Sequence, residues 1–518
     1  MSRPFLLTSF LALFLAWNSA AADRPNIVFI LADDQGYGDV SALNPESKIP
    51  TPHIDRIARE GMIFTDAHSS SSVCTPTRYS VLTGRYHWRT HLQKGVLGGF
   101  SRPLIDAGQL TVAGLLSENG YRTACVGKWH LGMDWPLKEG GIADDAGDFS
   151  GPGYAKGWEV DYTAPIQHGP VDRGFHTFFG ISASLDMAPY VYIRDRVPTE
   201  PATVEKAFHR KGPAAASFEA VDVLPRITEE AVAFIEASAE GARNDTPFFL
   251  YFPLNAPHTP ILPTAEWQGK SGINDYADFT MQVDDSVGEV LEALDRTGVA
   301  GDTLIIFTTD NGCSPAANIP ELREAGHEPS HIYRGHKADI YEGGHRVPFV
   351  ARWPARVTAG TSSDQLIGQI DLTATAAELA GAELPETGAG DSISFLSILL
   401  GEVGEPVRDS LVMQSINGSF AIRQGKWKLA LCPGSGGWSD PRPGRVDMSE
   451  MPPVQLFDLE TDPGEKKNLA LEMPDKVADL KRRLAGLIER GRSTPGPDLE
   501  NDAEIVMIKP VPTPRKKP

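Results

Sequence analysis

Cys74 and Arg78 stand four residues apart in the run Cys74-Thr75-Pro76-Thr77-Arg78, which leads on to Thr83-Gly84-Arg85. With a helix opening at Thr75, four residues make about one turn, so the sulfur and the guanidinium face one pocket. The helix N-terminus adds positive potential there, which suits an oxyanion. Two plainer readings of Cys74 stand beside this one. A lone cysteine is commonly a buried, inert thiol. A thiolate phosphatase spaces its arginine further from the cysteine, around a wider phosphate-binding loop that Pro76 would fit poorly. Hard oxygen donors occur in two places, Asp33-Asp34 and Asp310-Asn311-Gly312. All-oxygen sets suit Ca²⁺ or Mg²⁺ rather than Zn²⁺ or a thiolate-seeking metal. Singly, either pair is also an ordinary turn or helix cap. Lys128, His130, His258 and Lys337 complete the candidate groups. In isolation Lys337 is a solvated surface charge and His258 a loop histidine.

These residues gain meaning from the elements that must position them. Asn26 to Ala32 is a continuous apolar run ending at Asp33-Asp34, the pattern of a buried parallel strand. Tyr121 to Val126 forms a strand leading to Lys128 and His130, Pro247 to Phe252 one delivering His258, and Thr303 to Thr309 one delivering Asp310-Asn311. Ligands of open α/β sheets gather at the carboxyl ends of strands, so four strand ends carry acids, cations and imidazoles to one edge of one sheet. Gly36 and Gly38 are expected to let the backbone turn tightly after the first acid pair. Helices are predicted over Pro52 to Glu60, Thr111 to Glu118, Thr228 to Ala239 and Tyr276 to Leu294. Strands alternating with helices predict an α/β architecture. Asp134 to Phe175, rich in Gly, Asp and Pro, is expected to be a long rim loop of the kind that carries recognition. Beyond residue 400 the texture changes to short strands at Ser410 to Gln414, Phe420 to Gln424, Lys426 to Leu431 and Val454 to Leu459, which predict a small antiparallel sheet. A helix over Met473 to Arg490 closes it, and the Pro- and Lys-rich tail from Ser493 is expected to be extended or disordered.

The chain has 518 residues, 41% of them apolar, with 48 basic against 68 acidic side chains and a net charge of −20. That balance disfavours nucleic acid and anionic membranes as partners, and it means that any anionic substrate must be met by a local cluster of cations. Arg3, the apolar stretch from Phe5 to Trp17 and the small residues Asn18 to Ala22 form the pattern of a cleaved leader. The apolar stretch is shorter than the roughly 20 residues of a transmembrane helix. Export to the periplasm or the outside is therefore expected. Four cysteines, at 74, 125, 313 and 432, make no disulfide framework. The expected division is a leader over 1–22, a catalytic domain over 23–400, a C-terminal sheet subdomain over 401–492 and a tail over 493–518.

The extended motif from Cys74 to Arg85 resembles the mark of the type I sulfatases of the alkaline phosphatase superfamily. Gly335-His336-Lys337 with Glu342-Gly343-Gly344-His345-Arg346-Val347-Pro348 is similar to a second stretch of that family. Leu456-Phe457-Asp458-Leu459 with Asp462-Pro463 and Asn468-Leu469 is similar to a third. Thr77 stands where many members have Ser or Ala. The resemblance runs from about Pro25 to about Leu484. It implies an alkaline-phosphatase-like fold, a large mixed sheet flanked by helices with a small C-terminal domain of antiparallel sheet and helix. It also implies that a maturation enzyme converts Cys74 to formylglycine, whose hydrate is the nucleophile. Asp33, Asp34, Asp310 and Asn311 match the family's calcium ligands, with residue 74 as a further ligand and Mg²⁺ the lesser candidate. Arg78 and Lys128 match groups that hold the hydrate, and His130 matches the base that breaks down the sulfated intermediate. His258 and Lys337 match groups that contact the sulfate and the leaving oxygen.

The resemblance thus implies a sulfuric ester hydrolase, with a sulfated carbohydrate as the expected substrate. Trp88, His91 and Asp186, with Tyr190 and Tyr192, lie in segments that could rim the pocket, although each is also ordinary packing or surface. A phosphomonoester or phosphonate ester hydrolase on the same scaffold is the competing enzyme. A glycan-binding protein with an unmodified thiol at 74 and no metal is the competing non-enzyme.

Overall fold

The structure is a computed structural model, and it describes residues 24–144, 156–402 and 404–511. The expected leader over 1–22, the middle of the rim loop and the last residues of the tail lie outside them.

The apolar run Asn26–Ala32 is a strand with every residue buried. It pairs in parallel with Phe248–Pro253 on one side and Thr303–Thr309 on the other. A strand flanked on both sides and covered on both faces has no room for alternating polar residues, which is why the run is continuously apolar. The whole sheet has ten strands. Their order is Thr361–Ser363, Met62–Phe64, Phe349–Arg352, Thr303–Thr309, Asn26–Ala32, Phe248–Pro253, Arg122–Lys128, Thr177–Ile181, Ile193–Arg194 and Val197–Pro198. The centre is parallel, while Phe349–Arg352 runs antiparallel to both of its neighbours, so the sheet is mixed. Helices Pro52–Arg59, Val223–Ala242 and Asp275–Arg296 pack on one another, and Cys74–Thr83, Val112–Glu118 and Leu372–Ala380 form a second group. Asn274 caps the longest helix by accepting the N–H of Ala277. One continuous apolar core joins the sheet to both groups. No helix among the described residues is long and apolar enough to cross a membrane.

The C-terminal strands Ser410–Gln414, Phe420–Gln424, Trp427–Ala430 and Gln455–Asp458 form a four-stranded antiparallel sheet, followed by helix Pro474–Glu489. Its core is shared: Tyr86, Trp88, Ile340 and Tyr341 of the preceding unit are built into it. Residues 493–511 are irregular and docked. Asp502 bonds the Arg89 carbonyl through its N–H and pairs with Arg85 at 2.7 Å, and Ile505 and Met507 pack on the second core. All four cysteines are free and buried.

Two details differ from expectation. Gly36 has an ordinary φ of −76°, and its need is space: a Cβ there would lie 2.1 Å from the Pro329 carbonyl oxygen, and one at Gly38 would lie 2.0 Å from that of Glu328. Thr177–Ile181, to which the sequence assigned no element, is a strand beside Arg122–Lys128.

Candidate active site

Helix Cys74–Thr83 has all ten residues buried, so it lacks the polar face that would mark a surface helix. It stops at Gly84, whose φ of 63° is the left-handed conformation that favours glycine. Cys74 opens the helix at 2% exposure. Burial pushes its thiol above the ordinary range, against the pull of Lys128 and Lys337. A thiol held protonated is a poor nucleophile, and this weighs against thiolate chemistry at the unmodified side chain.

One turn on, Arg78 reaches Asp310 Oδ2 through Nε at 3.1 Å and Nη2 at 2.8 Å, and donates through Nη1 to the Lys128 carbonyl at 3.0 Å. The strand ends supply the rest except Lys337, which lies in the segment before Glu342–His345. Lys128 Nζ donates to Asp33 Oδ2 at 2.5 Å, and Lys337 Nζ lies 2.6 Å from Asp34 Oδ1. Asn311 Nδ2 donates to the same Asp34 oxygen at 2.8 Å. Asp33, Cys74 and Asp310 bring ligand atoms within 4.8 Å of one another, as do Asp33, Asp34 and His258. All of these groups are buried. Burial works against the Asp33 carboxylate, yet Lys128, His258, Arg78 and Lys337 together hold it well below the ordinary range. Burial and the charge of Asp33 push Asp310 the other way.

The cations leave three oxygens unsatisfied. Asp33 Oδ1, Asp34 Oδ2 and Asn311 Oδ1 are buried without a hydrogen-bond partner. A buried polar atom left unpaired costs about 1–3 kcal/mol, so three in one cluster mark a place built for something else. Hard, anionic or amide oxygens are the donors that Ca²⁺ and Mg²⁺ take, and the residues present fit such an ion. The backbone there is also held in an uncommon conformation, with φ of 69° at Asp34 and 56° at His130.

The two imidazoles differ. His130 Nε2–H donates to the Leu97 carbonyl at 2.8 Å, and its Nδ1 is buried without a partner. Burial, then Lys128 and Arg78, lower its basicity well below the ordinary histidine range. It is therefore neutral, with a free lone pair. His258 donates through Nδ1 to the Thr259 carbonyl at 2.6 Å and turns Nε2 toward Asp34 Oδ2 at 3.7 Å.

Of Trp88, His91 and Asp186, only Asp186 is near this cluster. It is 7% exposed, pairs with Arg210 at 2.5 Å and has an unpartnered Oδ1. Burial opposes its charge, but His258, Arg210 and Lys128 hold it below the ordinary carboxylate range. His91 is exposed on the wall of a cavity of about 600 Å³ that none of the six catalytic candidates lines. Trp88 is corrected to a packing residue. It is fully buried, stacked on Tyr86 at 5.2 Å, edge-on to Phe420 and covered by the Arg89 guanidinium. No ligand can reach it.

Sequence reasoning missed Asp39, Tyr276 and His327. Asp39 accepts from the Gly36 N–H at 2.6 Å, lies 2.5 Å from the Tyr276 hydroxyl and 2.7 Å from His327 Nε2. Tyr276 Oη is also 3.1 Å from the Asp34 carbonyl oxygen, so these three brace the loop that presents both acids. The available signal was an aspartate three residues beyond a glycine at a turn.

A family model described as Sulfatase matches residues 25–382. An N-acetylgalactosamine-6-O-sulfatase of Bacteroides thetaiotaomicron is 33% identical over 91% of this chain and 95% of its own length. Arylsulfatase A of Bos taurus is 34% identical over 90% of this chain and 87% of its own. Among solved structures, a 6S sulfatase from the glycosaminoglycan-metabolism locus of Bacteroides thetaiotaomicron superposes with a TM-score of 0.76 at 32% identity, over 90% of this chain and 99% of that one.

Proposed function

We propose, from the premise that this chain belongs to the sulfatase family and is a sulfuric ester hydrolase, that its substrate is a sulfated carbohydrate and that it works through a formylglycine made from Cys74 and a bound calcium ion. The carrying observation is the trio of orphaned oxygens on Asp33, Asp34 and Asn311 beside Cys74 and three buried cations. The carbohydrate reading is supported by the relatives, an N-acetylgalactosamine-6-O-sulfatase and a 6S sulfatase of a glycosaminoglycan locus. The calcium would be held by Asp33, Asp34, Asp310 and Asn311 with residue 74. When present, the ion would neutralise anionic oxygens and the formylglycine hydrate would supply a hydroxyl nucleophile.

The chain's own side chains account for the remaining work. A sulfate ester arrives negatively charged, and Lys128, Lys337 and Arg78 form the local cationic cluster that an acidic protein needs to receive it. His130, neutral and fixed by its bond to Leu97, takes a proton at Nδ1. His258 or Lys337 faces the leaving oxygen and returns a proton to it. Asp186 and Arg210 stand at the edge, where a carboxylate and a guanidinium can meet sugar hydroxyls. The reading also includes export and a maturation enzyme acting on residue 74.

The deciding experiment measures free sulfate from a panel of sulfated oligosaccharides, with matched phosphate esters alongside. Sulfate release that is lost on chelation and restored by Ca²⁺ is the expected result. Faster hydrolysis of the phosphate esters, or activity indifferent to chelation, would overturn the reading.

A further inference from the structure

A second group of buried charges lies where the catalytic sheet meets the C-terminal unit. Glu342, Glu465, Lys428, His68 and His345 are fully buried. His68, Glu342 and His345 bring ligand atoms within 4.8 Å of one another, a composition that could hold a metal ion. An ammonium lies against two of the three, Glu342 and His345. Lys428 Nζ, on strand Trp427–Ala430, lies 3.0 Å from Glu342 Oε1, 2.8 Å from Glu465 Oε1 and 2.9 Å from His345 Nε2. The lysine thus has three neighbours for its three protons. From there two rings continue the chain. His345 Nδ1 is 3.0 Å from His68 Nδ1, and His68 Nε2 is 2.9 Å from Asp66 Oδ1. Arg423 and Arg346 then pair with Asp66 at 2.8 and 3.2 Å.

This network holds the stretch that begins at Lys337. The Lys337 N–H bonds the Cys313 carbonyl and the Ala338 N–H bonds that of Ser72, two residues before Cys74. The C-terminal unit clasps both stretches. The Gln414 carbonyl receives the Ser72 N–H, Ile416 donates to Ala338, and Asp339 accepts the N–H groups of Trp438 and Ser439 at 2.7 and 3.0 Å. Lys428 ties this clasp to the Glu342–His345 turn by charge.

We propose that Lys428 is a positioning residue, a built-in cation that fixes the Glu342–His345 turn and thereby sets the Lys337 ammonium against Asp34 and the leaving oxygen. The proposal rests on the reading of Lys337 given above. A group that meets the leaving oxygen matters most when that oxygen is a poor leaving group. The test compares Lys428→Met and Lys337→Met in the full chain on nitrophenyl sulfate and on a sugar sulfate, with rates normalised to the fraction converted at residue 74. Lys428→Met is expected to lose about tenfold or more in kcat on the sugar ester and less than about threefold on the nitrophenyl ester, with KM little changed. Equal losses on both, or none, overturn the proposal when Lys337→Met is selective. If Lys337→Met is itself unselective, the role given to Lys337 is wrong and the proposal falls with it. Should Lys428→Met fail to fold, Glu465→Gln carries the same expectation, because it keeps an acceptor for the Glu342 N–H at 2.6 Å.

Discussion

The buried charges around Cys74 and Asp33 stand in contrast to those around Lys428 and Glu342. Both combine acids, cations and imidazoles at zero or near-zero exposure. They differ in completeness. Around Cys74, three ligand-type oxygens and one imidazole nitrogen have no partner. Around Lys428, an ammonium sits against Glu342, Glu465 and His345, Asp66 closes the chain between two arginines, and the one orphaned carboxylate oxygen, Glu465 Oε1, lies 2.8 Å from that ammonium. Composition alone would nominate both as metal centres. Unsatisfied atoms separate a site that awaits a ligand from a network that serves the fold.

The sharpest way to break this contrast is at the nucleophile. Cys74→Ala should cost more than about 10³-fold in turnover with the urea midpoint little moved, since one small side chain replaces another. Retained sulfate release would end the comparison. In the closed cluster the pattern should invert. Glu342→Gln removes one partner of a buried ion pair and should cost about 3–5 kcal/mol of stability, read from the midpoint of urea unfolding. A shift below about 1 kcal/mol would show that the two clusters are alike.

The next test uses protons. Burial lowers His87 to about 4, while its bond to Gln414 pulls the other way. The folded state keeps this ring neutral, and the unfolded chain protonates it below about 6.5. Stability is therefore lost as pH falls from about 6.5 towards about 4, by about 3 kcal/mol at most. His87→Gln should flatten the melting-temperature profile over that window, and an unchanged slope would remove His87 as a source. The smallest effect concerns the rim. Asp186→Asn should raise KM for a sugar sulfate by about tenfold, or about 1.4 kcal/mol, while kcat stays within about twofold. A change confined to kcat would move Asp186 from recognition into the chemistry.

How legible all this was in the sequence depended on the length scale of each signal. Asn26–Ala32 announced itself because a strand buried on both faces must be apolar throughout, and the acids and cations followed strand ends by position alone. The helix from Cys74 was inferred from the spacing to Arg78, since ten buried residues leave no polar face to read. Trp88 was misjudged because an aromatic beside an arginine looks the same in a core and at a rim until packing is known. The linkage of the Lys428 network was invisible, although Glu342, His345 and Arg346 stood in a family-like stretch. Its members come from four short segments, Lys428 and Glu342 standing 86 residues apart, and each charged residue alone passes for surface. Thr177–Ile181 was missed because Gly180 interrupts its short apolar run.

The clasp over Ser72 also sets a clock. Its partner Gln414 lies 342 residues downstream of Ser72, and at about 5–20 residues per second that strand is synthesised roughly 20–70 s later. Until then the segment before position 74 lacks its bond to Gln414. Any reagent that must reach that side chain is thus in competition with completion of the polypeptide. Slower elongation lengthens the interval, and a chain that finishes and docks early closes it.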